Sequence, residues 1–164
     1  LEGNHEFDMG PFFESYTGIQ CVKNLTIDIE GKRTFISHGD EFYLNLVTRA
    51  LKAPLTIGAM NLFGPRLSWK IAMAVSRIMS KKKKGQNPKV KNVFREYARE
   101  KLKEGYDAVI LAHTHIADYM EFGAGMAKKV YLNTGDFIRK STYIEYTSEE
   151  GFQLKEYKPL IRGI

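Results

Sequence analysis

The sequence predicts a layered α/β fold with a helical insertion. Three observations carry that prediction. Runs of strand length, alternating or wholly apolar, stand on both sides of the middle of the chain; helical periodicity fills the middle; and Gly or Pro marks the joins. Strands, then helices, then strands again make packed layers around one core, with an excursion from it.

Taken in order, residues 25–29 alternate apolar and polar side chains, Glu30-Gly31-Lys32 makes a turn, and residues 33–37 run back. This hairpin ends its second strand directly at His38-Gly39-Asp40. From residue 41 to 105 the pattern becomes helical. Phe42, Leu46, Arg49 and Ala50 begin an amphipathic repeat that stops near Pro54. A second helix starts at Pro65 and runs to the neighbourhood of Ser80, with Leu67, Ile71, Val75 and Ile78 at helical spacing. Trp69, Ala72 and Met73 make its apolar band wide. Residues 85–88 break the chain, and a third helix carries Val90, Val93, Phe94, Tyr97, Ala98 and Leu102.

Residues 107–111 form a short apolar run of strand length that ends at Ala112-His113-Thr114-His115. Further short strands are expected at 119–122, 130–133, 142–146 and 152–157. The resulting division is a core of residues 1–40 and 106–164, with residues 41–105 as a helical insertion.

At 164 residues the chain is the size of one ordinary domain, and such a domain buries about 70% of its unfolded surface. A hydrophobic fraction of 43% beside a charged fraction of 27% is that of a globular protein rather than a disordered or fibrous one. The single cysteine, Cys21, excludes an internal disulfide and suits a reducing, cytoplasmic setting. The longest weakly charged stretch, residues 53–63, is too short to span a bilayer. The chain opens on Leu1, not Met, and leads straight into a motif, so it is expected to begin inside a longer protein.

The net charge of +6 is concentrated at Lys81-Lys82-Lys83-Lys84 and continues through Lys89, Lys91, Arg95, Arg99, Lys101 and Lys103. Such a field favours phosphorylated metabolites, anionic lipid headgroups or nucleic acid. A solvated helix face explains the same residues without any partner.

The positions of the four histidines say more. His38 follows one apolar strand and His113 another, and catalytic groups in layered α/β folds collect at the carboxyl ends of strands. His113 and His115 are two apart, so an extended backbone would turn both imidazoles to one side. Two neutral imidazoles there, with a third from a neighbouring strand end, suit Mn²⁺, Fe or Zn²⁺. Each feature alone has a bland reading: a strand-end His is commonly structural or exposed, and Gly3-Asn4-His5-Glu6 alone reads as a turn. Jointly, these motifs stand in fixed order and leave no histidine over.

That ordered set resembles the calcineurin-like metallophosphoesterases, whose pattern is D-x-H, G-D, G-N-H-[DE], a lone His, and G-H-x-H. The last three stand here as Gly3-Asn4-His5-Glu6, His38-Gly39-Asp40 and Ala112-His113-Thr114-His115. The resemblance implies the C-terminal portion of a β-sandwich flanked by helices and a site for two divalent ions. Asn4, His38 and His113 would bind one ion and His115 the other. His5 would act over the phosphate as proton donor, oriented by Glu6. Ala112 stands where the family has Gly, a methyl that an ordinary backbone accommodates. The two upstream motifs, with the aspartate that bridges the metals, would precede Gly3.

Within the family, the long helical insertion between His38-Gly39-Asp40 and H-T-H resembles that of the UDP-2,3-diacylglucosamine pyrophosphohydrolases of lipid A biosynthesis, as does Tyr131-Leu132-Asn133-Thr134-Gly135-Asp136. His5 departs from them, since they carry Arg after the motif Asn. The resemblance implies hydrolysis of a UDP-acyl-sugar to UMP and an acyl-sugar 1-phosphate, with Mn²⁺ as the expected metal and Fe or Zn²⁺ as alternatives. It also implies a lid over acyl chains, Ser80, Lys81 and Lys84 as substrate contacts, and peripheral attachment to the inner face of the membrane. Two rival expectations remain: a metallophosphoesterase for another nucleotide or phosphodiester, and a non-catalytic module binding anionic lipid or nucleic acid, nucleic acid being the less favoured partner.

Overall fold

The computed structural model describes residues 1, 3, 10–41, 88–123, 125 and 128–158, with isolated positions between 58 and 74. The chain divides into two compact units, Leu1–Asp40 with Pro88–Ile164, and Glu41–Asn87.

The first unit begins with a short helix, α1 (Gly10–Thr17). Its strands are β1 (Asn24–Ile29) and β2 (Lys32–Ser37), joined by a hairpin turn. Glu30 and Gly31 both have positive φ, at 49° and 78°, which is the conformation a two-residue hairpin loop demands. The Asp28 carboxylate fixes that turn by accepting from the Gly31 amide at 2.8 Å.

Helix α2 (Pro88–Lys103) follows, opened by a proline in its first turn and closed by Gly105 at φ 97°. It falls in the first unit, whereas the sequence pattern grouped it with the helices before it. The reason is its apolar face: Phe94, Ala98 and Leu102 recur at helical spacing, all buried.

Next come β3 (Ala108–Leu111), β4 (Asp118–Phe122) and β5 (Lys129–Asn133). They join the first hairpin in a five-stranded sheet of order β1-β2-β3-β5-β4. The three central strands, β2, β3 and β5, run parallel, and β1 and β4 flank them antiparallel. A second hairpin, β6 (Thr142–Thr147) with β7 (Gly151–Glu156), forms a two-stranded sheet of its own.

Side chains alternate between the two faces of a sheet, and both faces of β3 and β5 are used. Ala108, Val130 and Leu132 share a core with Phe152, bordered by Ile110, Tyr119, Ile144 and Leu154, so the second hairpin covers that face. Val109, Leu111, Tyr131 and Asn133 point the other way, toward α2, and all are buried. Strands buried on both faces read as the continuous apolar runs seen in the sequence. The protein is thus mixed α/β, with a core made mostly of sheet.

In the second unit, the described positions between 58 and 74 are helical. Leu62, Leu67, Trp69 and Ile71 are among them and are exposed. The expected helix that stops near Pro54 lies outside the described residues, as do Ser80, Lys81 and Lys84. Among the described residues, no helix is long and apolar enough to cross a membrane.

Candidate metal centre

Parallel strands that start level finish level. Thr34 pairs with Ala108 and Ala108 with Val130, so Ser37, Leu111 and Asn133 end β2, β3 and β5 in one row. The residues that follow them are His38, the His113 turn and the Thr134-Gly135-Asp136 loop. The strand ladder runs on past the row, with the Ala112 amide donating to the His38 carbonyl at 3.2 Å and the Thr134 amide to the Leu111 carbonyl at 2.9 Å.

This arrangement brings His38 and His113 together. Their rings meet edge to face with centroids 5.3 Å apart, and His113 Nδ1 stands 3.4 Å from His38 Nε2. Behind His113 the buried ring of Phe94 lies nearly parallel, 7° from coplanar at 6.3 Å, so α2 supplies a wall against which the imidazole rests. Beside His38, the Gly39 amide donates to Ser37 Oγ at 3.2 Å, and Asp40 is buried.

The backbone at the H-x-H motif is not extended, contrary to the sequence expectation. His113 has φ 61° and His115 φ 57°, both left-handed. The chain must leave the sheet after Leu111, and it does so in a tight turn: the Thr114 amide donates to the Ala112 carbonyl at 2.7 Å. Thr114 Oγ1 then accepts from the Ile116 amide at 3.1 Å. Ala112 itself is not left-handed, so its methyl needs no special accommodation.

His115 stands apart from the His38–His113 pair. Its side chain is 63% exposed, with Nδ1 4.0 Å from Asp136 Oδ2. Asp136 is held in turn, since its Oδ1 accepts from the amides of Ile138 at 2.9 Å and Arg139 at 3.3 Å. Among the described residues, no three His, Cys, Asp or Glu side chains gather closely enough to hold a metal. Asn4, His5 and Glu6 lie outside the described residues, while Gly3 beside them is buried.

The donor chemistry can be tested on the pair that is present. Two imidazole nitrogens, each about 2.0–2.1 Å from a tetrahedral ion, stand about 3.3 Å apart. The separation of 3.4 Å fits two ligands of one ion. Neutral imidazole suits Mn²⁺, Fe and Zn²⁺ alike, so the pair fits a divalent ion without choosing among them.

The basic residues of α2 are spoken for. Lys91 and Arg95 both reach Asp118, at 2.8 and 2.7 Å. Arg99 pairs with Glu96, Lys101 with Glu104 and Lys103 with Glu100. On this helix these cations meet carboxylates of the same unit, on or just past the helix and at Asp118 of β4. Burial of Asp118 opposes its charge, but the hydrogen bonds from Arg95 and Lys91 outweigh that and hold its carboxyl below the usual range.

No family model matches the chain. A UDP-2,3-diacylglucosamine hydrolase of Aliivibrio fischeri (strain MJ11) is 24% identical over 166 aligned positions, covering 96% of this chain and 69% of that protein. Likeness at that level supports a distant relationship to a hydrolase.

Proposed function

We propose that this chain serves a metal-dependent phosphoester hydrolase of the calcineurin-like type that cleaves a UDP-acyl-sugar. The observation that carries the reading is the His38–His113 pair, two imidazole nitrogens 3.4 Å apart at the carboxyl ends of adjacent parallel strands. His38 and His113 are ligands of one divalent ion, completed by Asn4, and His115 serves a second. Mn²⁺ is the expected metal, with Fe or Zn²⁺ as alternatives.

Divalent ions in such a site polarise a phosphoryl oxygen and activate the attacking water at neutral pH. The chain's own residues do the rest. Phe94 and the turn at Ala112 hold the His113 imidazole toward His38. His5 donates the proton that the leaving oxygen takes up, with Glu6 orienting it. Water oxygen bonds to one phosphorus as the bridging P–O bond breaks, which for UDP-2,3-diacylglucosamine releases UMP and 2,3-diacylglucosamine 1-phosphate.

The substrate class is supported by the distant relative, whose name specifies that substrate. The exposed Leu67, Trp69 and Ile71 on helical positions of the second unit also support it, as apolar side chains suited to acyl chains. Ser80, Lys81 and Lys84 follow them in sequence as candidate contacts to the phosphates. The same apolar and basic character suits peripheral attachment to an anionic membrane surface.

A second reading keeps the metals and changes the substrate to a soluble nucleotide or phosphodiester; His5 favours it, standing where the lipid A enzymes have Arg. The deciding experiment assays the intact protein with Mn²⁺ on UDP-2,3-diacylglucosamine and on a soluble phosphodiester, before and after Trp69→Ser with Ile71→Ser. The acyl-sugar reading expects a selective loss on the lipid substrate. Equal activity of both proteins on both substrates supports the second reading instead.

A further inference from the structure

We infer that Asn133 is a positioning residue, its carboxamide setting the backbone turn that aims His113 at His38. The inference rests on the metal-centre reading above for its consequence, though not for its geometry.

Asn133 ends β5 with its side chain 1% exposed, on the face of the sheet that α2 covers. A carboxamide so deeply buried must find partners for both its ends, and it does. Nδ2 donates to the Ala112 carbonyl at 2.9 Å, and Oδ1 accepts from the Gly135 amide at 3.2 Å.

The first of these bonds falls on an atom with a second duty. The Ala112 carbonyl is the acceptor that closes the turn around His113, receiving the Thr114 amide at 2.7 Å. Both its lone pairs are therefore used, one to close the turn and one to anchor it to β5. A carbonyl fixed from two directions fixes the peptide plane that leads into His113. That residue sits at φ 61°, a conformation that an L-residue keeps only when its surroundings over-determine it.

The second bond ties the same side chain to the neighbouring loop. Gly135 precedes Asp136, whose carboxylate stands 4.0 Å from His115 Nδ1. One carboxamide thus locks the turn bearing His113 and the loop that faces His115 to a single strand end. Leucine has nearly the same shape and no polar atoms, so it would leave the packing and remove both ties.

The test compares Asn133→Leu with Leu132→Ala in the intact protein. Leu132 is the neighbour on β5 that faces the hairpin core, so its truncation destabilises the same strand without touching either loop. Two readouts are taken: the NMR backbone coupling that reports φ at His113, and the affinity for Mn²⁺ alone by calorimetry. The expected result is that Asn133→Leu shifts the His113 coupling and weakens Mn²⁺ about 10–100-fold, the usual effect of losing a group that orients a ligand. Leu132→Ala should lower the melting temperature and change neither readout.

A folded Asn133→Leu protein with unchanged coupling and Mn²⁺ affinity would overturn the inference. Absence of Mn²⁺ binding in the wild-type protein would count against the proposed function instead, and the coupling alone would then decide the role of Asn133. Should the leucine variant not fold, the through-bond coupling from Asn133 Nδ2 to the Ala112 carbonyl carbon in the wild-type protein decides; its absence overturns the inference.

Discussion

His113 carries its ring on a backbone that costs about 1–3 kcal/mol to hold, and His115 repeats the conformation two residues later. That cost is sustained where a turn must lift a side chain off the end of a strand. Gly135 shows how tightly the neighbouring loop is built. At φ 73°, a methyl there would strike Thr142 Oγ1 and come within 2.9 Å of Ala117 Cβ. Gly135→Ala should therefore lower stability by more than about 1 kcal/mol, while Gly31→Asn, at a hairpin turn with open space around it, should be nearly neutral. Thermal melts of the two variants check both. At this scale the sequence placed His38 and His113 just beyond the ends of strands, and they stand there. It did not show the left-handed turn, because an extended H-x-H and a turned one have the same spelling. Nor did it assign a role to Asn133 or Phe94, whose partners Ala112 and His113 are reached across the fold and not along the chain.

At the scale of elements, α2 is the informative case. Its periodicity announced a helix, and its cations left an anionic partner and a solvated face both open; most of those cations meet carboxylates on or just past the helix or Asp118 on β4. Only the register of β4 on β5 brings Asp118 under the helix, so the pairing was beyond sequence reading. Asp118→Asn should cost about 1.5–3 kcal/mol, the range for hydrogen bonds to charged groups, measured by denaturant unfolding at neutral pH.

The pH dependence of that contribution has a definite sign. A carboxyl whose folded pKa is depressed adds stability that is fully present above its unfolded pKa, about 3.9. That stability is lost as pH falls through the lower folded value. The difference between wild type and Asp118→Asn should therefore shrink below about pH 4. The wall behind His113 gives another test. Phe94→Ala should cost about 3–5 kcal/mol, whereas Phe94→Leu should cost less than about 1.5; unfolding curves separate the two. Helix α1 was missed in the sequence, although Gly18 stands just past its end at φ 70°. Eight residues with aromatic side chains lack the periodicity that marks a longer helix.

For the whole molecule, the strand order follows from simple rules. Each strand from residue 24 onward was visible as a short apolar or alternating run, and β2, β3 and β5 lie parallel at the centre with their ends in one row. That row is why two histidines separated by 75 positions in sequence meet. The sequence pattern grouped α2 with the insertion, because helical periodicity marks a face to be buried but not the partner that buries it. Phe94, Ala98 and Leu102 answer by packing toward β3 and β5.

The central claim is that His38 and His113 share a divalent ion. Its most direct test is the Mn²⁺ content of the intact protein after loading and desalting, beside His38→Ala and His113→Ala variants shown to be folded. The claim predicts bound Mn²⁺ in the wild type and loss of it in each variant, with hydrolysis of the phosphoester lost in step. A folded wild type that retains no divalent ion from Mn²⁺, Fe²⁺ or Zn²⁺, or variants that retain as much as the wild type, would contradict it.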